Sequence, residues 1–451
     1  MYNKIQHIHL IGIGGIGMSG LGQLLAQNGY KVTGSDAGRG ETVRLLEAQG
    51  ITVFQGHAAH HIEGAELVVY SSAISPQNPE LQAARAQDIL TIPRAEMLAE
   101  MMRNKHGIAI AGAHGKTTTT SMVGVALVHA DLDPTVVVGG RVDNFGGTNA
   151  RLGRGEFMVV EADESDGSFN RLSPSIAVLT NFDREHLDHY GSVEVLEQAF
   201  LAFANKVPFY GLTVYCGDDA VLNRLVQRVS RRKKSYGFSE GCHYRIVSYG
   251  ATSAGSSFGV AWGERRATLH LQVPGRHNAL NAVAALAVAE EIGIPTETTV
   301  QALSSYRGVA RRFQLRGEKQ GVRFFDDYAH HPTEIRATLA AARERFPESR
   351  VRVVFQPHRY SRLDDLWTDF TQCFGDCDGV AVTDVYAAGE SPREGINSAR
   401  FAQQLSETRT SAQRVNSGWD GIELWMKDAI PGDVILTLGA GDLPNVYQKL
   451  F

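Results

Sequence analysis

Ala111-Gly112-Ala113-His114-Gly115-Lys116-Thr117-Thr118-Thr119-Thr120 follows the short apolar run Gly107-Ile108-Ala109-Ile110-Ala111 and leads into a stretch compatible with a helix. A strand, a tight glycine turn and a helix start bring several backbone N–H groups around one point. The helix dipole adds positive potential there, Lys116 adds a full charge, and the Thr117 hydroxyl is a ligand type for Mg²⁺. These are the parts that hold the phosphates of a nucleotide triphosphate. The common pattern G-x-x-x-x-G-K-[ST] would want glycine where Ile110 stands, so the loop is the shorter form G-x-x-G-K-T.

Upstream, His7-Ile8-His9-Leu10-Ile11 runs into Gly12-Ile13-Gly14-Gly15-Ile16-Gly17, then a helix-like stretch, then Tyr30 to Asp36. A strand, G-x-G-x-x-G and a second strand ending on an acid make the βαβ start of a doubly wound domain. The glycines let backbone approach a pyrophosphate, and the acid can accept from ribose hydroxyls. A dinucleotide cofactor is the usual inference. A UDP-sugar carries the same pyrophosphate and ribose, and the fingerprint does not separate the two.

Downstream, the apolar strand Phe157-Met158-Val159-Val160 delivers Glu161, Asp163, Glu164 and Asp166 at its end, where a parallel sheet presents Mg²⁺ ligands. Ile176 to Asn181 leads into Asp183-Arg184-Glu185-His186-Leu187-Asp188-His189, a second ligand-rich loop. The segment closes with the helix start Pro274-Gly275-Arg276-His277-Asn278. A third segment begins near Arg311-Arg312-Phe313. It offers strands at Val322 to Tyr328, Val351 to Phe355, Gly379 to Val385 and Asp433 to Leu438, with a helix from Thr333 to Arg345. Strands alternate with helices throughout, which indicates α/β architecture.

The chain has 451 residues, too many for one core. We divide it into a Rossmann-like domain over 1–106, a central P-loop ATPase-like domain with a parallel sheet over 107–310, and a Rossmann-like domain over 311–451. A net charge of -5 gives no electrostatic reason to bind nucleic acid or an anionic membrane. The basic run Arg228 to Lys234 reads as a solvated turn. Four cysteines, with Cys373 and Cys377 spaced C-x₃-C and no second pair, read as free thiols. No run of ~18 apolar residues is present, and the N-terminal apolar stretch carries His7 and His9 before breaking on glycines, unlike a signal peptide. A soluble, cytoplasmic protein is expected.

In this order the motifs resemble the Mur ligase family, ATP-dependent enzymes that extend the peptide stem of peptidoglycan precursors. The likeness spans Gly112 to Thr118, Glu161 to Asp166, Gly275 to Asn281, Arg311 to Phe313, Asp326 to Glu334 and Phe355 to Arg362. Gly14-Gly15 and the Phe355 to Arg362 run favour the type that adds L-alanine over the type that recycles whole murein tripeptides. The resemblance implies ligation of L-alanine to the lactyl carboxylate of UDP-N-acetylmuramate through an acyl phosphate, releasing ADP and phosphate. It implies ATP and two Mg²⁺ ions as cofactors and leaves the oligomeric state open. An NAD-dependent oxidoreductase is the reading from a different class, and it leaves Lys116, Glu161 and His186 without a role.

Roles follow residue by residue. The first glycine loop (Gly14, Gly15, Ile16, Gly17) with Ser35, Asp36, His57, Ser71, Ser72 and Ala73 looks like the UDP-sugar pocket. Gly112, Ala113, His114, Gly115, Lys116, Thr117 and Thr118 are expected to hold ATP phosphates, His114 more through its backbone than its ring. Glu161 and His186 join Thr117 as metal ligands, and Lys116, Glu161, His186 and His330 form the catalytic set. His277 and Asn278 resemble adenine-side residues, and Arg311 and Asp327 nucleotide contacts. His330, His358, Arg359 and Arg362 match the region that holds L-alanine, where a guanidinium can pair with the free carboxylate. Imidazole titrates near neutrality, so His330 could also take the ammonium proton. Ala113 stands where many relatives carry threonine. Lys206, the nearest candidate for a carbamylated lysine, is not assigned, and His60 and His61 are read as surface residues.

Overall fold

The computed structural model describes residues 5–252, 254–408 and 411–451, with Asp188 described by its backbone alone. The chain forms two compact units. One comprises Met1–Ser248, Gly259–Leu269 and Leu280–Arg307; the other comprises Tyr249–Phe258, His270–Ala279 and Gly308–Phe451.

The first sheet contains β1 (His7–Ile11), β2 (Lys31–Asp36), β3 (Thr52–Gln55), β4 (Leu67–Tyr70) and β5 (Leu90–Pro93), in the order β3-β2-β1-β4-β5. Every pairing is parallel. The order reverses beside β1, so the glycine loop after β1 opens at the switch point, where such sheets leave a crevice. All of β1 is buried, including His7 and His9. The Thr33 hydroxyl makes this possible, lying 3.0 Å from His7 Nε2 and 2.9 Å from His9 Nδ1.

The second sheet contains β6 (His106–Ala111), β7 (Thr135–Val142), β8 (Thr148–Arg151), β9 (Phe157–Glu161), β10 (Ile176–Leu179), β11 (Leu212–Cys216), β12 (Lys233–Gly237), β13 (Tyr244–Thr252), β14 (Gly255–Trp262) and β15 (Arg265–Leu271). Their order is β15-β14-β13-β12-β11-β10-β6-β9-β7-β8. The strand β6 is central and parallel to both neighbours, β10 and β9, so its end is flanked by theirs. The sheet is not parallel throughout: β8 runs antiparallel to β7, a return short enough for a tight turn at Gly146-Gly147. The sequence reading did not foresee β13 to β15, whose alternating buried and exposed residues lack the continuous apolar run of a strand buried on both faces.

The helix Lys116–His129 contains Thr117 to Thr120 and Ser121, poor helix formers by intrinsic propensity. Burial overrides the propensity because several hydroxyls have partners. Thr119 Oγ1 donates to Asn281 Oδ1 at 3.1 Å, and Ser121 Oγ lies 2.7 Å from Tyr306 Oη while donating to Thr118 O.

The third sheet contains β16 (Gln314–Lys319), β17 (Val322–Asp327), β18 (Val351–Phe355), β19 (Gly379–Val382), β20 (Ala412–Arg414) and β21 (Val434–Leu438), in the order β16-β17-β21-β18-β19-β20. It is parallel except for β16, which forms an antiparallel hairpin with β17.

Two surface assignments need correction. His61 is buried, with Nδ1 2.6 Å from Glu80 Oε1. The basic run is not simply solvated: Lys233 donates to the carbonyls of Val226 and Val229, closing a helical turn, and Arg232 and Lys234 both pair with Glu291. The four cysteines are free thiols. Among the described residues no helix is long and apolar enough to cross a membrane.

Phe355 is fully buried in the third core, with ring centroids 5.2 Å from Phe374 and 5.9 Å from Phe370. Phe355→Ala is expected to destabilise that unit by about 3–5 kcal/mol. Urea titration followed by the transition of that unit measures it.

Candidate active site

The loop after β6 is held by β10. Gly112 sits at φ +135°, and a Cβ there would lie 2.1 Å from Thr180 Oγ1, so only glycine fits. Thr180 Oγ1 donates to His114 O at 2.6 Å, and Asn181 Nδ2 donates to the same carbonyl at 2.9 Å. Asn181 Oδ1 accepts from His114 N at 2.8 Å, and Asn181 O from Ala113 N at 3.3 Å. Two of the loop's N–H groups thus point at the neighbouring strand end rather than into the loop. This differs from the expectation for His114, whose backbone was to serve the phosphates. Its ring lies 3.0 Å from Asp183 Oδ2.

Gly115 caps the following helix at φ +79° without any side-chain hydrogen bond. The N–H groups of Lys116, Thr117 and Thr118 lack intrahelical acceptors by helix geometry. They form the cluster of donors an anion would meet.

Lys116 Nζ donates to Gly112 O at 2.5 Å, Ala113 O at 3.0 Å and Glu164 Oε1 at 2.7 Å. Burial works against its charge, yet Glu164, Asp163 and Glu161 hold its pKa above the usual lysine value. Burial pushes the Glu164 carboxyl up to about 7 against the pull of Lys116. Thr117 Oγ1 donates to Glu161 Oε1 at 3.1 Å, and Gly139 N to Glu161 Oε2 at 2.8 Å.

Thr117 and Glu161 therefore meet. His186, expected at a second Mg²⁺, gathers with Glu164 and Glu185, their ligand atoms all within 4.8 Å of one another. Glu164 Oε2 is buried without a hydrogen bond among the described residues. Hydroxyl and carboxylate oxygens with a free buried lone pair fit a hard divalent cation. Lys206 is remote from this edge: it caps the helix Val193–Asn205 and lines a cleft with His106, Glu156 and Ser175, which lie at or beside the opposite ends of the strands.

In the first sheet, Gly12 N and Ile13 N donate to Ser35 O at 2.8 and 3.0 Å, folding the glycine loop against the end of β2. Asp36 Oδ2 accepts from Gly14 N at 2.9 Å, so Asp36 holds the loop itself. Gly15 starts the helix Ile16–Gln27 with no side-chain cap, and Ile16 is exposed. Arg94 lies over the loop, its Nη1 2.8 Å from where a Gly17 Cβ would stand, and pairs with Asp163 at 3.7 Å. Asn149 on β8 donates to Ile16 O at 2.5 Å, joining the crevice to the edge of the central sheet. Ser71, Ser72 and Ala73 form a turn after β4, closed by Ile74 N donating to Ser71 O.

In the other unit, Asn278 is buried and donates to Pro274 O at 2.7 Å, while His277 is half-buried beside Arg312 and Glu334. Asp327 accepts from Phe313 N and Ala329 N, both at 2.7 Å, and Arg311 donates to Gly439 O at 2.5 Å while stacking over Tyr328. Beside them His358 stacks on Tyr386 with centroids 5.5 Å apart, meets His330 edge-on at 5.7 Å, and lies 3.2 Å from Arg362 Nη1. Arg359 is exposed, with a backbone φ of +71° that costs a non-glycine residue about 1–3 kcal/mol. Its guanidinium forms no hydrogen bond or ion pair among the described residues.

Thr180, Asn181, Arg94 and Asn281 were given no role from the sequence, and Glu164 and Glu185 only a place in its ligand-rich loops. Glu164 and Glu185 carried a signal, two carboxylates in ligand-rich loops after strand ends. Asn281 carried one too, standing one turn beyond Asn278; its Oδ1 lies 2.8 Å from where a Gly115 Cβ would stand. Thr180 and Asn181 carried none, because a polar pair ending a strand is commonplace.

Three family profiles match in succession. "Mur ligase family, catalytic domain" covers residues 7–106, "Mur ligase middle domain" 110–289 and "Mur ligase, glutamate ligase domain" 311–441. A UDP-N-acetylmuramate–L-alanine ligase from Geobacter sp. is 49% identical over 99% of this chain and 97% of its own. One from Acidobacterium capsulatum is 49% identical over 100% and 98%. Among solved structures, the UDP-N-acetylmuramate–alanine ligase of Thermotoga maritima superposes with a TM-score of 0.85 at 31% identity, covering 98% and 97% of the two chains. A murein peptide ligase from Psychrobacter arcticus gives 0.72 at 25%, covering 99% and 98%.

Two half-buried histidines set a pH dependence. Burial, with Arg312 nearby, pushes His277 from 6.5 down to about 4. Burial, with His330, Arg362 and Arg359, pushes His358 down to about 3. The unfolded chain takes up these protons near pH 6.5 and the folded chain does not, so stability falls as pH drops from about 6.5 toward 4. Asp327, raised by burial to about 6, opposes this over a narrower range, and the two histidines outweigh it. Urea midpoints of this unit should fall from pH 7 to pH 4, and His277→Asn should flatten that slope.

Proposed function

Because the chain belongs to the Mur ligase family, we propose that it joins L-alanine to the lactyl carboxylate of UDP-N-acetylmuramate at the expense of ATP, in peptidoglycan precursor synthesis. Near-complete coverage of alanine-adding relatives supports the substrates. The observation that carries the chemistry is the G-x-x-G-K-T loop clamped by Thr180 and Asn181, with Lys116 set among Glu161, Asp163 and Glu164.

A carboxylate is a poor acylating agent. It is activated by attacking the γ-phosphate to give an acyl phosphate, which the amine of L-alanine then opens, expelling phosphate. One anion attacks another in the first step, so the site must neutralise spreading negative charge. Lys116 supplies a cation whose own charge is secured by three carboxylates, and the N–H groups of Lys116 to Thr118 add fixed dipoles. Thr117 and Glu161 are assigned one Mg²⁺, and His186, with Glu164 and Glu185, a second. Bound Mg²⁺ would shield the phosphates from the approaching carboxylate.

The UDP-sugar is assigned to the crevice formed by Gly14 to Gly17, Ser35, Asp36, His57 and Ser71 to Ala73. Gly12 and Asp36 shape that loop, and Arg94 adds positive charge beside it. L-alanine is assigned to His330, His358, Arg359 and Arg362. Burial keeps His358 neutral, so Arg359 and Arg362 are the cations for a carboxylate. The strained Arg359 backbone supports a positioned guanidinium. His330 Nδ1 lies 2.9 Å from Tyr328 O and 3.3 Å from Glu334, which orients the ring to accept a proton from the ammonium. His277, Asn278, Arg311 and Asp327 are assigned to the nucleotide. Soluble, cytoplasmic operation fits the absence of a membrane-spanning helix among the described residues.

Phosphate release should require UDP-N-acetylmuramate and L-alanine together and should not respond to nicotinamide cofactors; release with a murein tripeptide in place of alanine would point to the recycling activity. Lys116→Ala should lower kcat by about three or more orders of magnitude with UDP-N-acetylmuramate binding retained, as measured by calorimetry. Arg359→Ala should raise the KM for L-alanine at least about tenfold, with the KM for ATP little changed in steady-state assays.

A further inference from the structure

Beneath the first crevice lies a carboxylate that the chemistry above leaves unused. Glu80 stands in the first turn of the helix Pro79–Ala86, where Asn78 caps its N–H, and its side chain is 0% exposed. No lysine or arginine pairs with it among the described residues. Its Oε2 instead accepts from Ser35 Oγ at 2.6 Å and lies 3.0 Å from His57 Nδ1. Its Oε1 lies 2.6 Å from His61 Nδ1 and 4.0 Å from His9 Nε2. A buried carboxylate with no lysine or arginine beside it is costly, so its retention calls for a reason beyond packing.

The partners come from successive strand ends. Ser35 is near the end of β2, His57 just past β3, and Glu80 follows the turn after β4. Ser35 also acts in the other direction, because its carbonyl accepts from Gly12 N and Ile13 N of the glycine loop. One carboxylate is thereby connected to the loop through a single residue. His57 is the member that reaches the surface, its side chain 22% exposed. With Nδ1 directed at Glu80, the ring carries its proton there. Nε2 is left as an acceptor with no partner among the described residues.

We propose that Glu80 is a positioning residue for the UDP-sugar: through Ser35 it fixes the glycine loop, and through His57 it fixes an imidazole that presents Nε2 to a hydrogen-bond donor on the ligand. The proposal rests on the reading of this crevice as the UDP-sugar site. Glu80→Gln keeps the shape but offers Nε2–H₂ or a weaker acceptor to the same partners.

Steady-state kinetics on the full chain test the proposal. In Glu80→Gln the KM for UDP-N-acetylmuramate should rise at least tenfold, while kcat and the KM values for ATP and L-alanine stay within twofold. An unchanged KM, or a loss confined to kcat, overturns the proposal. Glu80→Asp, which shortens the carboxylate but keeps its charge, should recover part of the loss; no recovery points to plain packing and overturns it as well. Should the variants fold poorly, ¹⁵N NMR of the wild-type chain decides: His57 should be protonated at Nδ1, and protonation at Nε2 overturns the proposal. Gly15→Val separates the two readings. If it too leaves the KM for UDP-N-acetylmuramate unchanged, the crevice assignment falls and the proposal with it. If it raises that KM while Glu80→Gln does not, only the role of Glu80 falls.

Discussion

A lysine ammonium placed away from bulk water has to be neutralised by what surrounds it, and Lys116 sets the terms for the central domain. Its three hydrogen bonds go to two carbonyls of its own loop and to Glu164. Those carbonyls face it only because Gly112 adopts a conformation closed to other residues. Gly112 in turn stays there because Thr180 and Asn181 hold the next turn of the loop. The parallel pairing of β6 with β10 and β9 delivers both the clamp and the carboxylates to the same end of the sheet.

The first domain repeats this scheme with different chemistry. There a glycine loop folds over the end of an adjacent strand, and a carboxylate, Asp36, takes the place of the clamp. No lysine stands in the loop; the cation is Arg94, which approaches from the start of a later helix and pairs with Asp163 of the central domain. In the C-terminal unit the loops after β17 and β18 gather histidines and arginines rather than glycines, and strain is stored at Arg359 and Arg311. A cationic, partly buried surface of this kind suits a small zwitterion whose carboxylate must be caught while its amine is left to react.

The sequence disclosed what depends on local pattern. Apolar runs followed by glycine turns located β1 and β6, and the family motifs ordered the three segments. It did not disclose what depends on long-range contact. Asn181 and Thr180 look ordinary until β10 lies beside β6, and His61 looks like surface until Glu80 is seen beneath it. The strands β13 to β15 were missed because they are covered on one face only and carry no apolar block. His114 is a further case: its place in the motif suggests a phosphate contact, and only the fold shows its N–H donating to Asn181 Oδ1.

The helices that follow the two glycine loops, Ile16–Gln27 at Gly15 and Lys116–His129 at Gly115, begin on glycine with no side-chain cap. A serine or aspartate would secure only about a few tenths of a kcal/mol at Gly15, and at Gly115 the left-handed φ of +79° and the nearby Asn281 amide exclude a side chain. With no side chain over either helix start, stabilising those N–H groups is left to whatever anion settles there. The chain's resistance to unfolding is therefore a function of the nucleotide pool around it, rising by RT ln(1 + [L]/Kd) for each site filled. A cell starved of precursors would hold this enzyme in its least durable form, so turnover by proteases would track the supply of the substrates it consumes.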